Sequence, residues 1–367
     1  MAGHGDQEVR TAHADSRATL GTATPPAPHG REQREETEED ALAPGATRAR
    51  GAGHRTVAEE PDTLRTCFER DRDRILHSSA FRRLAGKTQV FVFPADHQRT
   101  RLTHALEVAQ VATGIARACR LNVALTEAIA LGHDCGHGPG GHMSEDALGI
   151  FLPDGFDHAV WGADVSLADL NLCEETLDGI RNHSWSRPAP HTPEGEVVSW
   201  ADRIAYVCHD WEDAVSAGIV TPGLLPDVVL ARCGPSRSSQ LGTFIEGMVH
   251  TMLRTGRVGM DGDLAEALAA FRRGNYDHVY LRPASVAQGA AVVEVLRALV
   301  SHFADHPNRI PAAEGGRALA GGSDEAVVAA VAYVAGMTDR FAMGVAVSDL
   351  GWDPARLPRG VHRLTTP

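Results

Sequence analysis

From Leu64 onward the apolar positions recur with mostly helical spacing, and no stretch alternates apolar and polar residues long enough to make a half-buried strand. The pattern predicts an all-α fold. Residues 101–120 (RLTHALEVAQVATGIARACR) carry Leu102, Leu106, Ala109, Val111, Ala112, Ile115 and Ala116, an apolar face broad enough for burial on several sides. Asn122 is placed to cap the next helix, which runs through Ile129 to His133. Asn171 followed by Glu174 has capping-box spacing ahead of a helix reaching about Asn182, and a long helix from about Glu196 should stop at Gly218. Further helices are predicted at 238–254, 263–273, 284–305 and 324–348, separated by Gly- and Pro-containing turns, with 311–323 (PAAEGGRALAGGS) a mobile connector. There is no internal repeat.

Residues 1–58 break this pattern. They are rich in Ala, Gly, Glu, Arg, Thr and Pro and nearly devoid of large apolar residues, so they predict a disordered tail in which His4, His13, His29 and His54 are simply solvated. The remainder of the 367 residues, in a chain that is 43 % hydrophobic, can bury a large core in one or two domains. A formal net charge of −13 argues against a surface that coats nucleic acid. The six cysteines form no CxxC pair and sit in or near apolar runs, which predicts reduced, structural thiols. No segment has the roughly eighteen uncharged apolar residues needed to cross a bilayer, and none reads as a leader, so a soluble cytoplasmic protein is expected, with Asn182-His183-Ser184 a chance glycosylation match.

The densest chemistry is LGHDCGHGPGGHMSED (131–146), which puts His133, Asp134, His137, His142, Glu145 and Asp146 in one short stretch. Neighbouring helical positions point about 100° apart, which suits adjacent corners of a six-coordinate metal. The Gly-Pro-Gly-Gly run at 138–141 then breaks the helix and lets His137 and His142 turn towards one cavity. Two more ligand candidates lie on separate predicted helices, His104 in RLTH and Asp202 in VVSWADRIAYVCHDWEDA. On the latter helix Asp202, Tyr206, Asp210 and Asp213 share one stripe, compatible either with a solvated face or with a site. Arg70, Arg72, Arg74, Arg82, Arg83 and Lys87 read first as a solvated basic helix face. Gly86-Lys87-Thr88 is no P-loop, because Phe81 stands where the first glycine is required.

The set His104, His133-Asp134 and Asp202 resembles the signature of the HD phosphohydrolase superfamily. Five ordered blocks narrow the resemblance: 70–91 (RDRDRILHSSAFRRLAGKTQVF), 99–110, 132–148, 171–183 and 201–218. Together they are similar to the dGTP triphosphohydrolase (dGTPase-like) family. The resemblance implies an HD-domain helical bundle over 59–220 with additional C-terminal helices over 221–367 packed on it. It implies His104, His133, Asp134 and Asp202 as ligands of a divalent metal, with His142 and Glu145 as the proton-transfer pair. Gln89, Arg101, His137, His158, Arg203, Tyr206, Asp210 and Tyr280 fall where relatives line the sugar and triphosphate pocket. The mixed imidazole and carboxylate set suits Mn²⁺, Mg²⁺, Fe²⁺, Co²⁺ or Ni²⁺ better than a closed zinc site.

The implied activity is hydrolysis of a deoxynucleoside triphosphate to deoxynucleoside and triphosphate, by a homo-oligomer, such as a hexamer, with no membrane or nucleic-acid partner expected. Two other readings keep the same residues: an HD-type phosphomonoesterase or phosphodiesterase acting on another nucleotide, and a non-catalytic nucleotide-sensing or nucleic-acid-binding protein. Two segments depart from the better-known branch. Gly138-Pro139-Gly140-Gly141-His142 replaces a Pro-Pro-Phe-Gly-His version, and Phe156 to Trp161 replaces FDHN-x-Q, which leaves nucleobase choice open.

Overall fold

The computed structural model describes residues 3–5, 9–21, 27–94, 98–311 and 319–360. Fifteen α-helices follow in order: α1 Arg31–Ala41, α2 Cys67–His77, α3 Ser79–Arg83, α4 Arg101–Ala118, α5 Val123–Gly132, α6 Met143–Leu148, α7 His158–Trp161, α8 Glu174–Arg181, α9 Pro193–Ser216, α10 Asp227–Cys233, α11 Arg237–Thr255, α12 Gly262–Asn275, α13 Pro283–Asp305, α14 Asp324–Ala335 and α15 Asp339–Leu350. The strands among the described residues are a two-residue pairing of His4–Gly5 with Arg10–Thr11, so the chain is all-α as its periodicity predicts.

Local signals explain most helix ends. Asn122 caps α5 by accepting from the Leu125 amide, and Thr192 caps α9 ahead of Pro193, a residue whose fixed φ suits the first helical turn. Two expected boundaries differ. Asn171 does not cap α8: it adopts φ 49° and spends its side chain on Val57 and Glu59. The start of α8 is held instead by Asp71 of α2, whose Oδ2 accepts from the Cys173 amide at 2.8 Å and from the Thr176 hydroxyl at 2.7 Å. The helix expected over 324–348 is two helices, because the chain turns at Gly336–Thr338 and Thr338 is extended with ψ 161°. Most of the expected 311–323 connector lies outside the described residues.

Helices α4, α5 and α9 form the centre, with Val108, Val111, Ala112, Ile115, Leu125, Ile129, Val197, Ala201, Ile204 and Ala205 fully buried. The same core continues through α10, α11 and α12 by Val229, Phe244, Leu268 and Phe271. A second core gathers α13, α14 and α15 against α6. The first core thus runs on past residue 220 through α12, and the second takes in the helices after residue 280. By length and composition α13 is apolar enough to span a membrane, yet Val292, Val295, Leu296, Leu299, Val300 and Phe303 are core residues and the helix carries Glu294 and Arg297.

The expected N-terminal tail differs most. From Gly30 to Val57 the chain lies against the bundle, held by polar contacts where apolar ones are scarce. Thr47 donates its amide and hydroxyl to Glu194 at 3.0 and 2.8 Å, and Gly53 donates to Glu175 at 3.1 Å. Arg55 pairs with the fully buried Asp71 at 2.6 Å. Composition alone misses this, because Glu194 and Glu175 lie more than a hundred residues away. Removing one member of a buried pair leaves the other charge uncompensated, so Arg55→Ala should destabilise the fold by about 3–5 kcal/mol in urea denaturation. Deleting residues 1–28 should leave the unfolding midpoint unchanged.

Candidate active site

Three stretches of chain converge on one cavity of about 650 Å³: the start of α4, the turn between α5 and α6, and the middle of α9. The turn needs glycine. A Cβ on Gly136 would meet the His158 carbonyl oxygen at 1.9 Å, and one on Gly141, at φ +65°, would meet Arg101 Nη2 at 2.7 Å. These close approaches bring α7 and Arg101 against the histidine-bearing turn.

His104, Asp134 and Asp202 meet in the cavity wall, with His133 buried directly behind them. His104 Nε2 lies 3.0 Å from Asp202 Oδ1 and 3.9 Å from Asp134 Oδ2, and His133 Nε2 lies 3.8 Å from the same Asp202 oxygen. His133 Nδ1 sits 2.7 Å from the Ala130 carbonyl, which can only accept, so Nδ1 carries the proton of the neutral ring and Nε2 presents its lone pair. That buried Nε2 has no hydrogen-bond partner. An orphaned lone pair facing two carboxylates and a second imidazole fits a divalent cation. Burial by itself would push the carboxyls of Asp134 and Asp202 up, but the arginine and imidazoles around them hold both well below the usual carboxylate range. Burial would likewise pull His104 down, and its bond to Asp202 with the charges of Asp202 and Asp134 outweighs that, so its pKa is raised. His183, absent from the sequence-based set, also belongs to this cluster: its ring packs edge-on to His133 at 5.0 Å, and His133, Asp134 and His183 form a second group with metal-ligand spacing.

Above the ligand set stands a histidine layer. His137 and His158 stack at 3.8 Å, and His142 meets both edge-on at 4.8 and 5.5 Å. Glu145 reaches between them. Its Oε2 is 3.6 Å from His142 Nδ1, while its Oε1 is closer to His158 Nδ1, so the expected His142 partner is shared with His158. Burial favours a protonated Glu145, but His142 and His158 hold it ionised and far below the usual range. His158 Nε2 lies 3.2 Å from His183 Nε2, and His183 Nδ1 is anchored on the Ile180 carbonyl at 2.8 Å. Glu145, His158 and His183 thus form one hydrogen-bonded chain. His137 is buried and, with Arg101 and His158 beside it, has its pKa depressed, which favours a neutral ring whose two buried nitrogens have no hydrogen-bond partner.

Of the fourteen side chains singled out from sequence, all line the cavity except His133 and His137, which are buried outside its wall. The acidic stripe of α9 is divided among several partners. Asp202 joins the ligand set, whereas Asp210 and Asp213 are both taken by the buried Arg99, with 2.8 Å to Asp213, and Tyr280 donates to Asp210. Tyr206 accepts from Arg272 Nε at 2.9 Å. Arg101 gives Nη1 to Asp134 at 2.6 Å, and its buried Nε and Nη2 have no partner. Arg203 lies 3.3 Å over the ring of Trp185, a cation–π contact that holds its guanidinium in the wall. Arg99, Arg272, Trp185 and His183 were missed because each acts through a partner distant in sequence. The signals at hand were the blocks 99–110 and 171–183, which contain Arg99 and His183.

Lys87 corrects the reading of a basic face. It is 3 % exposed, donates to the carbonyls of His137 and, at 3.1 Å, Ala335, and burial pulls its ammonium down to about 8. Arg70 and Arg74 pair with Glu59, and Arg72 with Asp73.

A cation entering the ligand set competes with the proton on His104. Because that pKa is raised, Mn²⁺ affinity should climb as pH rises through it and level off above, with proton release on binding. Calorimetric titration with Mn²⁺ in two buffers of different ionisation enthalpy checks this. Asp202→Asn should abolish the heat signal without unfolding the chain.

Comparison with known proteins places this arrangement. Residues 101–207 match the HD domain family, and residues 258–347 match the phosphohydrolase-associated domain. A "deoxyguanosinetriphosphate triphosphohydrolase-like protein" of Caldanaerobacter subterraneus is 41 % identical over 320 residues, which cover 85 % of this chain and 93 % of the relative. One of the same description from Clostridium perfringens is 40 % identical, covering 77 % of this chain and 86 % of its own length. Another from Syntrophus aciditrophicus is 47 % identical over about half of each, 51 % and 53 %. The chain therefore belongs to the deoxyguanosinetriphosphate triphosphohydrolase-like family of HD-domain phosphohydrolases.

Proposed function

We propose that this hydrolase acts on deoxynucleoside triphosphates at the α-phosphorus and releases deoxynucleoside and inorganic triphosphate. The observation that supports it most is that one cavity of about 650 Å³ joins His104, Asp134 and Asp202, with His133 buried behind them, to the His142–Glu145–His158 cluster and the Arg203 and Arg272 guanidiniums. Its size lies within the range typical of small-molecule and cofactor sites. The relatives' printed names point to the same substrate class. A divalent cation such as Mn²⁺, Mg²⁺, Fe²⁺, Co²⁺ or Ni²⁺, bound by His104, His133, Asp134 and Asp202, would supply positive charge at a phosphate oxygen.

The chain's own groups do the rest. A water oxygen forms the new bond to phosphorus while the bond to the 5′ oxygen breaks; the water's released proton passes to solvent, and the 5′ oxygen is a poor leaving group until it is protonated. His142, with its side chain 67 % exposed at the cavity, hands it the proton, and Glu145 orients the imidazole from Nδ1. Arg101, with two buried guanidinium nitrogens unpartnered, Arg203, held on Trp185, and Arg272, held on Tyr206, line the cavity and offset the charge of the triphosphate. Gln89, with a buried and unpartnered Oε1 in the cavity wall, is set to accept from a sugar hydroxyl. As in the family resemblance, the working form is expected to be a homo-oligomer.

With Mn²⁺ present, each dNTP should yield triphosphate, detected by anion-exchange chromatography with the nucleoside counted separately. His142→Ala should lower kcat by about 10²–10⁴-fold while Mn²⁺ still binds. Cleavage of phosphomonoesters or cyclic nucleotides with no triphosphate from any dNTP would overturn the substrate class. An unchanged rate in His142→Ala would remove His142 from the mechanism.

A further inference from the structure

The turn that carries His142 is braced at its ends by Ser144, whose hydroxyl accepts from the Gly138 amide at 3.0 Å and donates to the Gly141 carbonyl at 2.6 Å. Its middle is built on glycine, with Gly140 and Gly141 at positive φ, 75° and 65°, and no side chain of the turn takes the Gly140 amide. That support comes from the far end of the chain. Asp339, the first residue of α15, is 3 % exposed and accepts three hydrogen bonds. Oδ1 takes the Gly140 amide at 2.8 Å, and Oδ2 takes the Thr88 amide at 3.0 Å and the Thr88 hydroxyl at 2.5 Å. The buried Lys87 adds a second fastening, joining the His137 carbonyl at the start of the turn to the Ala335 carbonyl at the end of α14. From the other side Val292 of α13 leaves no space for a Cβ on Gly140, which would sit 2.5 Å from Val292 Cγ1.

A buried carboxylate is expensive, and an apolar residue would pack the first turn of α15 at less cost. Three donors, from two segments that both line the cavity, account for its presence. We propose that Asp339 is a positioning residue for the reaction: it clamps Gly140 to Thr88, and so fixes the His142 turn in register with the Gln89 wall. The helices matched to the phosphohydrolase-associated domain thereby shape the site without lending it a reacting group. The inference rests on the reading that His142 works in catalysis.

Asp339→Asn tests it selectively. The amide has one oxygen, so if it keeps both Thr88 bonds its NH₂ faces the Gly140 N–H, and only the hold on the turn is lost. Expected are a fall in kcat on the order of 10- to 100-fold, with KM and Mn²⁺ affinity changed less than about threefold. Hydrogen exchange should quicken at 137–142 but not through α14 and α15. A role confined to capping α15 predicts the reverse, faster exchange through 324–350 with an unaltered turn and kcat, and that result overturns the proposal. Should the variant fail to fold, exchange in the unmodified protein decides: the Gly140 and Thr88 amides must be strongly protected, and rapid exchange at Gly140 refutes the clamp. If the unmodified protein cleaves no dNTP, the substrate reading fails, while the exchange result still judges Asp339.

Discussion

A carboxylate sunk in an apolar helical interior must be paired, and nearly every feature of this site answers that requirement. Asp134, Asp202 and Asp210 lie among the best packed helices of the fold, where an unpaired negative charge would be intolerable. The partners come from one short stretch at the start of α4: Arg99 for Asp210 and Asp213, Arg101 for Asp134, and His104 for Asp202. The entry into α4 is thus the counter-charge of the whole centre, and α4 packs on both α5 and α9 because the acids it neutralises sit at the end of one and the middle of the other. Where the pairing is incomplete, at His133 Nε2 and at the free nitrogens of Arg101, the unspent capacity points to ligands.

How much of this was legible in the sequence depends on the range of each interaction. Helix periodicity and caps such as Asn122 and Thr192 act over a few residues, so the all-α class and most helix positions followed from the pattern. The convergence of His104, His133, Asp134 and Asp202 was legible because chemistry demands particular residue types in a dense cluster, and 131–146 has them. Roles set by distant partners were not. Asn171 has capping spacing, but its side chain is spent on the N-terminal segment, and Asp71 does its work from another helix. Lys87 looks like a surface base until the carbonyls of His137 and Ala335 are known. The α9 stripe offered two readings and the structure divides it, with one acid facing the ligand set and two satisfied by Arg99.

The second core carries a related lesson. Viewed by composition, α13 to α15 are apolar helices at the end of the chain, and nothing in their periodicity relates them to the histidines. Yet α6 is their fourth packing partner, and α6 begins directly after His142. Packing density there therefore bears on the geometry of a side chain that none of these three helices contains.

The docked segment from Gly30 to Val57 has a consequence for the order of events at the ribosome. Thr47 leaves the exit tunnel 147 residues ahead of Glu194, its partner for two bonds, and Gly53 leads Glu175 by 122. Those bonds form only once α8 and α9 have been made, and closing loops of that length is entropically slow. Contacts nearer in sequence, Arg55 on Asp71 of α2 among them, need no such wait, so the segment is seated in two stages and its fastenings to α8 and α9 come last.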